Sequence, residues 1–164
     1  MEMRSNRTSG SPGRTYRFLE TAGEAGCADC HSWPFGFGGS YTSFALAWAA
    51  PAPPSVAAGD TTLYELSVTN TGNVTGDVVV TCYSSYSGSA SPVARPPLRS
   101  LFAFDRVEEL RPGATAALAF TLTPGGRTLV TEEGRQVVPA GAWTVTCEAG
   151  GLVAVRAALA VNSG

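Results

Sequence analysis

Leu63–Tyr83, LYELSVTNTGNVTGDVVVTCY, decides how this chain folds. Tyr64, Leu66 and Val68 alternate with Glu65, Ser67 and Thr69, the two-residue period of a strand with one buried face. Asn70-Thr71-Gly72-Asn73 then suits a turn, because Gly lacks a Cβ and Asn bonds its own backbone. Val78–Tyr83 is a second run rich in β-branched residues. The two runs read as a central hairpin. Apolar faces made in this way need a second sheet to cover them, so the expected architecture is an all-β sandwich.

Working outward, Phe44, Leu46 and Trp48 mark an earlier strand, ended by the proline-rich Pro51–Pro54. After the hairpin, Ser84–Pro97 has the composition of a long exposed loop, and Leu101–Val107 resumes extended structure. Ala116, Leu118, Phe120 and Leu122 alternate with small or polar residues, as do Trp143, Val145 and Cys147. Helix propensity alone suits the Ala-rich tail Val153–Val161, but its clean alternation after Gly150-Gly151 marks a last strand. About seven strands with turns between them predict an immunoglobulin-like or fibronectin type III-like sandwich over residues 41–164. Residues 1–40, apart from a short extended piece at Thr15–Leu19, have no period and read as an irregular extension running over a neighbouring surface.

The totals narrow the function. The chain has 164 residues, 44% hydrophobic and 15% charged, enough apolar material for a real core. Its formal charge is −2, and all eleven basic residues are scattered arginines, which excludes a phosphate-tracking nucleic-acid interface. No apolar run nears the ~20 residues of a membrane-spanning helix. The first residues, MEMRSNRTSGSPG, lack the apolar core of a signal peptide, so the location stays open. Asn6-Arg7-Thr8 and Asn73-Val74-Thr75 are glycosylation sequons that matter only in a secretory route.

Few residues suggest chemistry of their own. Cys27-Ala28-Asp29-Cys30-His31 matches the haem-attachment pattern C-x-x-C-H, yet His31 is the only histidine and no helical haem pocket is expected. Zinc would lack a fourth ligand there, and a redox Cys-x-x-Cys would lack the helix N-terminus that lowers its pKa. No cofactor or metal is therefore assigned. Cys82 and Cys147 fall in phase with inward-facing residues of two strands expected to be sheet neighbours. They form either a buried thiol pair or a disulfide, and free thiols are favoured because cross-strand disulfides are often strained. Glu108-Glu109 and Glu132-Glu133 are adjacent in sequence, so on an extended chain they point to opposite faces and make no acid/base pair. Trp48 and Trp143 are in phase with the core rather than with a sugar-stacking surface.

Five segments resemble, in order, glycoside hydrolase family three, and most of all its β-xylosidase branch. They are MEMRSNRTSGSPGRTYRF, PFGFGGSYTSF, VTNTGNVTGDVVV, LRSLFAFDRVEELRPGATAALAFTLTP and EEGRQVVPAGAWTVTCEAG, together spanning about residues 1–155. The run Pro12–Phe18 is a familiar mark of that branch. The CADCH stretch and Gly39, at a place typically Leu, depart from it. The resemblance implies a retaining glycosidase built from a barrel with the nucleophilic Asp, an α/β sandwich with the acid/base Glu, and a fibronectin type III-like domain. Residues 1–40 then correspond to the tether leaving the second domain, and the sandwich to the third. No residue here matches either catalytic carboxylate, so the site residues implied for catalysis are none. The expected function is a non-catalytic module whose partners are the catalytic domains of a xylan-degrading parent enzyme, inactive alone. Its location would be extracellular or secretory with that parent. The rival reading is a stand-alone module binding a protein or a carbohydrate.

Overall fold

The structure, a computed structural model, describes residues 16–18, 36–89, 91–93 and 96–163. Among the described residues ten strands follow one another: β1 Phe44–Trp48, β2 Ser55–Ala57, β3 Thr62–Asn70, β4 Gly76–Tyr86, β5 Ser100–Leu110, β6 Thr115–Leu122, β7 Leu129–Val130, β8 Gln136–Val137, β9 Gly141–Ala149 and β10 Val153–Asn162. Seven of them are five residues or longer, the number expected from sequence. The smaller sheet has the order β1-β3-β6, and the larger β2-β10-β9-β4-β5; β7 and β8 form a separate ribbon. The Ala-rich tail is a strand, antiparallel to β9 from Val153 to Val161.

The alternation works as read. On β3, Thr62, Tyr64, Leu66, Val68 and Asn70 are buried while Leu63 and Glu65 face water. Val78, Val80 and Cys82 of β4 meet them from the other sheet, joined by Val145, Cys147, Leu159 and Leu118 in one core. The hairpin, however, does not form. β3 pairs with β1 and β6, whereas β4 pairs with β5 and β9, so residues 71–75 carry the chain from one sheet to the other. Turn chemistry specifies a reversal and not a hydrogen-bonding partner, and two strands each burying a full face are satisfied by facing each other across the core.

Asn70 holds that crossing together. It is fully buried, and its Nδ2 donates to the carbonyls of Val74 and Leu110, both at 2.8 Å. Its Oδ1 accepts from Thr42 Oγ1 at 2.7 Å and from the Gly72 amide at 3.0 Å. One side chain thus ties the turn to the approach to β1 and to the end of β5. Gly72 must lack a side chain here, since a Cβ would lie 2.9 Å from the Ser43 nitrogen and closer still to Thr42.

Cys82 and Cys147 stand opposite each other in the β4–β9 ladder and are joined as a disulfide, with Cα atoms 4.1 Å apart. This corrects the preference for free thiols. Directly facing residues of an antiparallel pair already hold their Cβ atoms close together, so no backbone shift is needed to bring the sulfurs together.

Candidate functional site

The outer face of the larger sheet is where an unexpected residue lies. Along β4, Val78, Val80, Cys82 and Ser84 point inward, so Val79, Thr81, Tyr83 and Ser85 point away from the core. An outward tyrosine on a free face would be solvated, yet Tyr83 is 1% exposed. Its cover comes from a distant part of the chain. Tyr16–Phe18 forms a turn, rather than the short extended piece expected, and the Tyr16 ring sits 6.0 Å from that of Tyr83 at 55°.

Three hydrogen bonds seat that turn on the approach to β5. The Leu98 amide donates to the Arg17 carbonyl at 2.7 Å. Arg17 Nη2 donates to Ser100 Oγ at 3.2 Å, and the Leu101 amide donates to the Tyr16 hydroxyl at 3.2 Å. The Arg99 guanidinium lies 5.1 Å from the Tyr83 ring centroid and pairs with Glu148 at 3.3 Å. That ion pair is largely shielded from solvent, which makes it firmer than an ordinary surface pair. Burial pushes the Tyr83 phenol above its usual pKa, and the Glu148 carboxylate adds to that while Thr81 and Arg99 oppose it.

A recess of about 70 Å³ opens beside the covered ring, lined by Ser85, Leu98, Arg99, Thr146, Glu148 and Arg156 with Tyr83. The ladder registers place Leu101, Tyr83, Thr146 and Arg156 in one row across four strands. On the other side of the seated turn the same face becomes apolar. Phe104 lies opposite Thr81 on edge strand β5 and is 68% exposed, with Leu101 and Val79 half-exposed beside it. The strip ends at Arg106, which donates to Asp77; that bond, with the Glu109 amide at 2.8 Å, holds the Asp77 carboxyl below the usual carboxylate range.

The recess offers a single carboxylate, Glu148, already engaged by Arg99, whereas retaining glycoside hydrolysis uses two carboxyls about 5 Å apart. Glu108 and Glu133 sit on exposed surface. Among the described residues no three His, Cys, Asp or Glu side chains gather as a metal cluster. Trp143 is core, its Nε1 donating to the Pro139 carbonyl at 3.1 Å, and Trp48 packs 5.7 Å from the Tyr64 ring. Asn73 is exposed in the crossing turn, while Asn6, Cys27, Cys30 and His31 lie outside the described residues. Sequence reasoning missed Tyr83, Arg99 and Glu148. The one available signal was a large aromatic in outward phase, which demands a cover from elsewhere in the chain.

A family model for the fibronectin type III-like domain matches residues 78–150, from within β4 to just past β9. The exo-1,4-beta-xylosidase bxlB of Emericella nidulans is 33% identical over 148 residues, covering 82% of this chain. Over most of its length the chain resembles one region of family-three β-xylosidases. It carries a fibronectin type III-like domain and spans only 18% of the length of the Emericella relative. A beta-xylosidase of Formosa agariphila is 37% identical over 114 residues, 70% of this chain and 15% of its own. Solved structures share the fold. A beta-glucosidase from Listeria innocua superposes with a TM-score of 0.72 at 22% identity, covering 80% of this chain and 18% of its own. The GH3 beta-glucosidase of Bifidobacterium adolescentis gives 0.63 at 25% identity over 78% of this chain and 18% of its own.

Proposed function

We propose that this chain is a non-catalytic module of a family-three β-xylosidase-like enzyme, steadying the domains that do the chemistry. In the parent, terminal xylose (or arabinose) would be removed from xylan-derived oligosaccharides by double displacement, with both carboxylates supplied by other domains. The observation that carries this reading is the seat of Tyr16–Phe18 on the outer face of the larger sheet. In the family that segment resembles the exit from the preceding domain, so residues 1–40 are a tether and 41–164 the module. The tether delivers its neighbour beside the strip of Val79, Leu101 and Phe104. Contiguous exposed apolar surface of this kind favours a protein partner over open water.

The Cys82–Cys147 disulfide fits a parent that passes through an oxidising compartment, as does the exposed position of Asn73 within its sequon. Purified chain incubated with aryl β-xylosides is expected to release no aryl alcohol above the uncatalysed rate. Turnover by homogeneous protein would falsify the non-catalytic role. Genomic sequence upstream of Met1 tests the other half: an open reading frame encoding a barrel supports the module, and stop codons in every frame overturn it.

A further inference from the structure

A second cluster, independent of the outer face and of the proposed function, lies between the sheets. Arg127 ends the 3-10 turn Pro124–Arg127 and is 0% exposed. That turn is clamped from both layers: Ser84 of β4 donates to the Gly126 carbonyl, and Arg127 Nη2 donates to the carbonyl of Asp60, just before β3. The guanidinium is therefore held at the end of the core where β3 begins. There Thr62 and Tyr64 point inward from successive buried positions of β3.

The donors in this corner are unmatched. Arg127 Nε and Nη1, the Tyr64 hydroxyl and Thr62 Oγ1 are all buried without a hydrogen-bond partner. Among the described residues, none of the ion pairs involves Arg127. Asp60, the near carboxylate, turns its side chain to solvent and offers only its backbone oxygen. Burying a guanidinium without a counter-charge is among the most unfavourable arrangements in a protein interior, and native cores do not leave several donors idle around one. The electrostatics agree: burial pulls the Arg127 pKa down, Tyr64 and Asp60 only partly restoring it, while the Tyr64 phenol is pushed up to about 12 by burial against the opposing pull of Arg127.

We propose that Arg127, Tyr64 and Thr62 form a buried binding site for a small inorganic anion of the halide class. A monoatomic anion accepts hydrogen bonds from every direction, so one ion engages Nε–H, Nη1–H and the two hydroxyls while neutralising the guanidinium. A water molecule would satisfy geometry and leave the charge uncompensated. The anion is structural, binding the folded chain and not the unfolded one.

Two measurements on the whole chain test this. Crystals soaked in sodium bromide are expected to show an anomalous peak between Arg127 and Tyr64. Thermal unfolding in sodium chloride against sodium gluconate, at constant ionic strength, is expected to shift upward by about 3 °C per tenfold rise in chloride above Kd. Arg127→Met should abolish the chloride-specific shift. If that variant does not fold, Tyr64→Phe keeps the ring and removes one donor, and should raise the chloride concentration at which the shift begins by about tenfold. No peak, or a shift unchanged in both variants, overturns the site. A peak without any chloride-specific shift means an adventitious ion only, and overturns it equally.

Discussion

At the scale of single residues, the largest effects belong to polar groups placed where water cannot reach. Asn70 fills two donor and two acceptor positions inside the protein, so Asn70→Ala takes the side-chain partner from the Val74 and Leu110 carbonyls and the Thr42 hydroxyl at once. With about 1–3 kcal/mol for each buried group left unsatisfied, partly relieved by relaxation, the loss should be about 3 kcal/mol or more in chemical denaturation. Tyr64 sets an alkaline limit. Its phenol ionises at about 12 in the folded chain and near 10 once unfolded, so the folded state keeps the proton longer. The stabilisation is whole below pH 10 and is lost as pH rises through the folded value, a change of about 2–3 kcal/mol. Tyr64→Phe should flatten that part of a stability-against-pH curve. Of these residues the sequence disclosed the wrong aspect. Asn70 reads as a turn former, which it is, but two of its partners, Thr42 and Leu110, lie 28 and 40 residues away, and no local pattern announces those.

Among the elements, period-two alternation was the dependable guide, because burying one face of a strand imposes it wherever the strand is paired. It identified β1, β3, β6, β9 and β10 from their side chains alone, while β4 was read from its run of β-branched residues. Partner choice was less visible. The crossing at residues 71–75 and a hairpin turn use the same residues, and only the packing of the opposite sheet decides between them. For Cys82 and Cys147 the reasoning reached the right pair of neighbouring strands but not the covalent bond. A loop of 65 residues closed by that bond gives about 4 kcal/mol by the chain-entropy estimate. The double variant Cys82→Ala, Cys147→Ala should lose about 2–5 kcal/mol in urea unfolding, with the outer-face contacts preserved.

For the whole molecule, the sandwich was legible and the seat on its outer face was not. Strand faces follow from phase, but the seat at Leu98–Leu101 depends on a turn more than 80 residues earlier. Resemblance to the family indicated that a tether precedes the sandwich, without indicating where it lies. Tyr16→Ala should uncover Tyr83 and lower stability by about 1–2 kcal/mol, through loss of one ring contact and one hydrogen bond. Quenching of tyrosine fluorescence by acrylamide should rise in that variant, and an unchanged quenching constant would show that the seat does not shield the ring.

The covalent link between β4 and β9 also has a mechanical side. Because it joins neighbours of a single layer, tension applied to the two chain ends bypasses everything between Cys82 and Cys147. In the oxidised form β5 to β8 bear no load, and about 200 Å of contour stays stored however far the ends are drawn. A chain drawn from its ends would then yield through β1 to β3 and β10, while the β5 edge that seats Tyr16–Phe18 stays inside the closed loop.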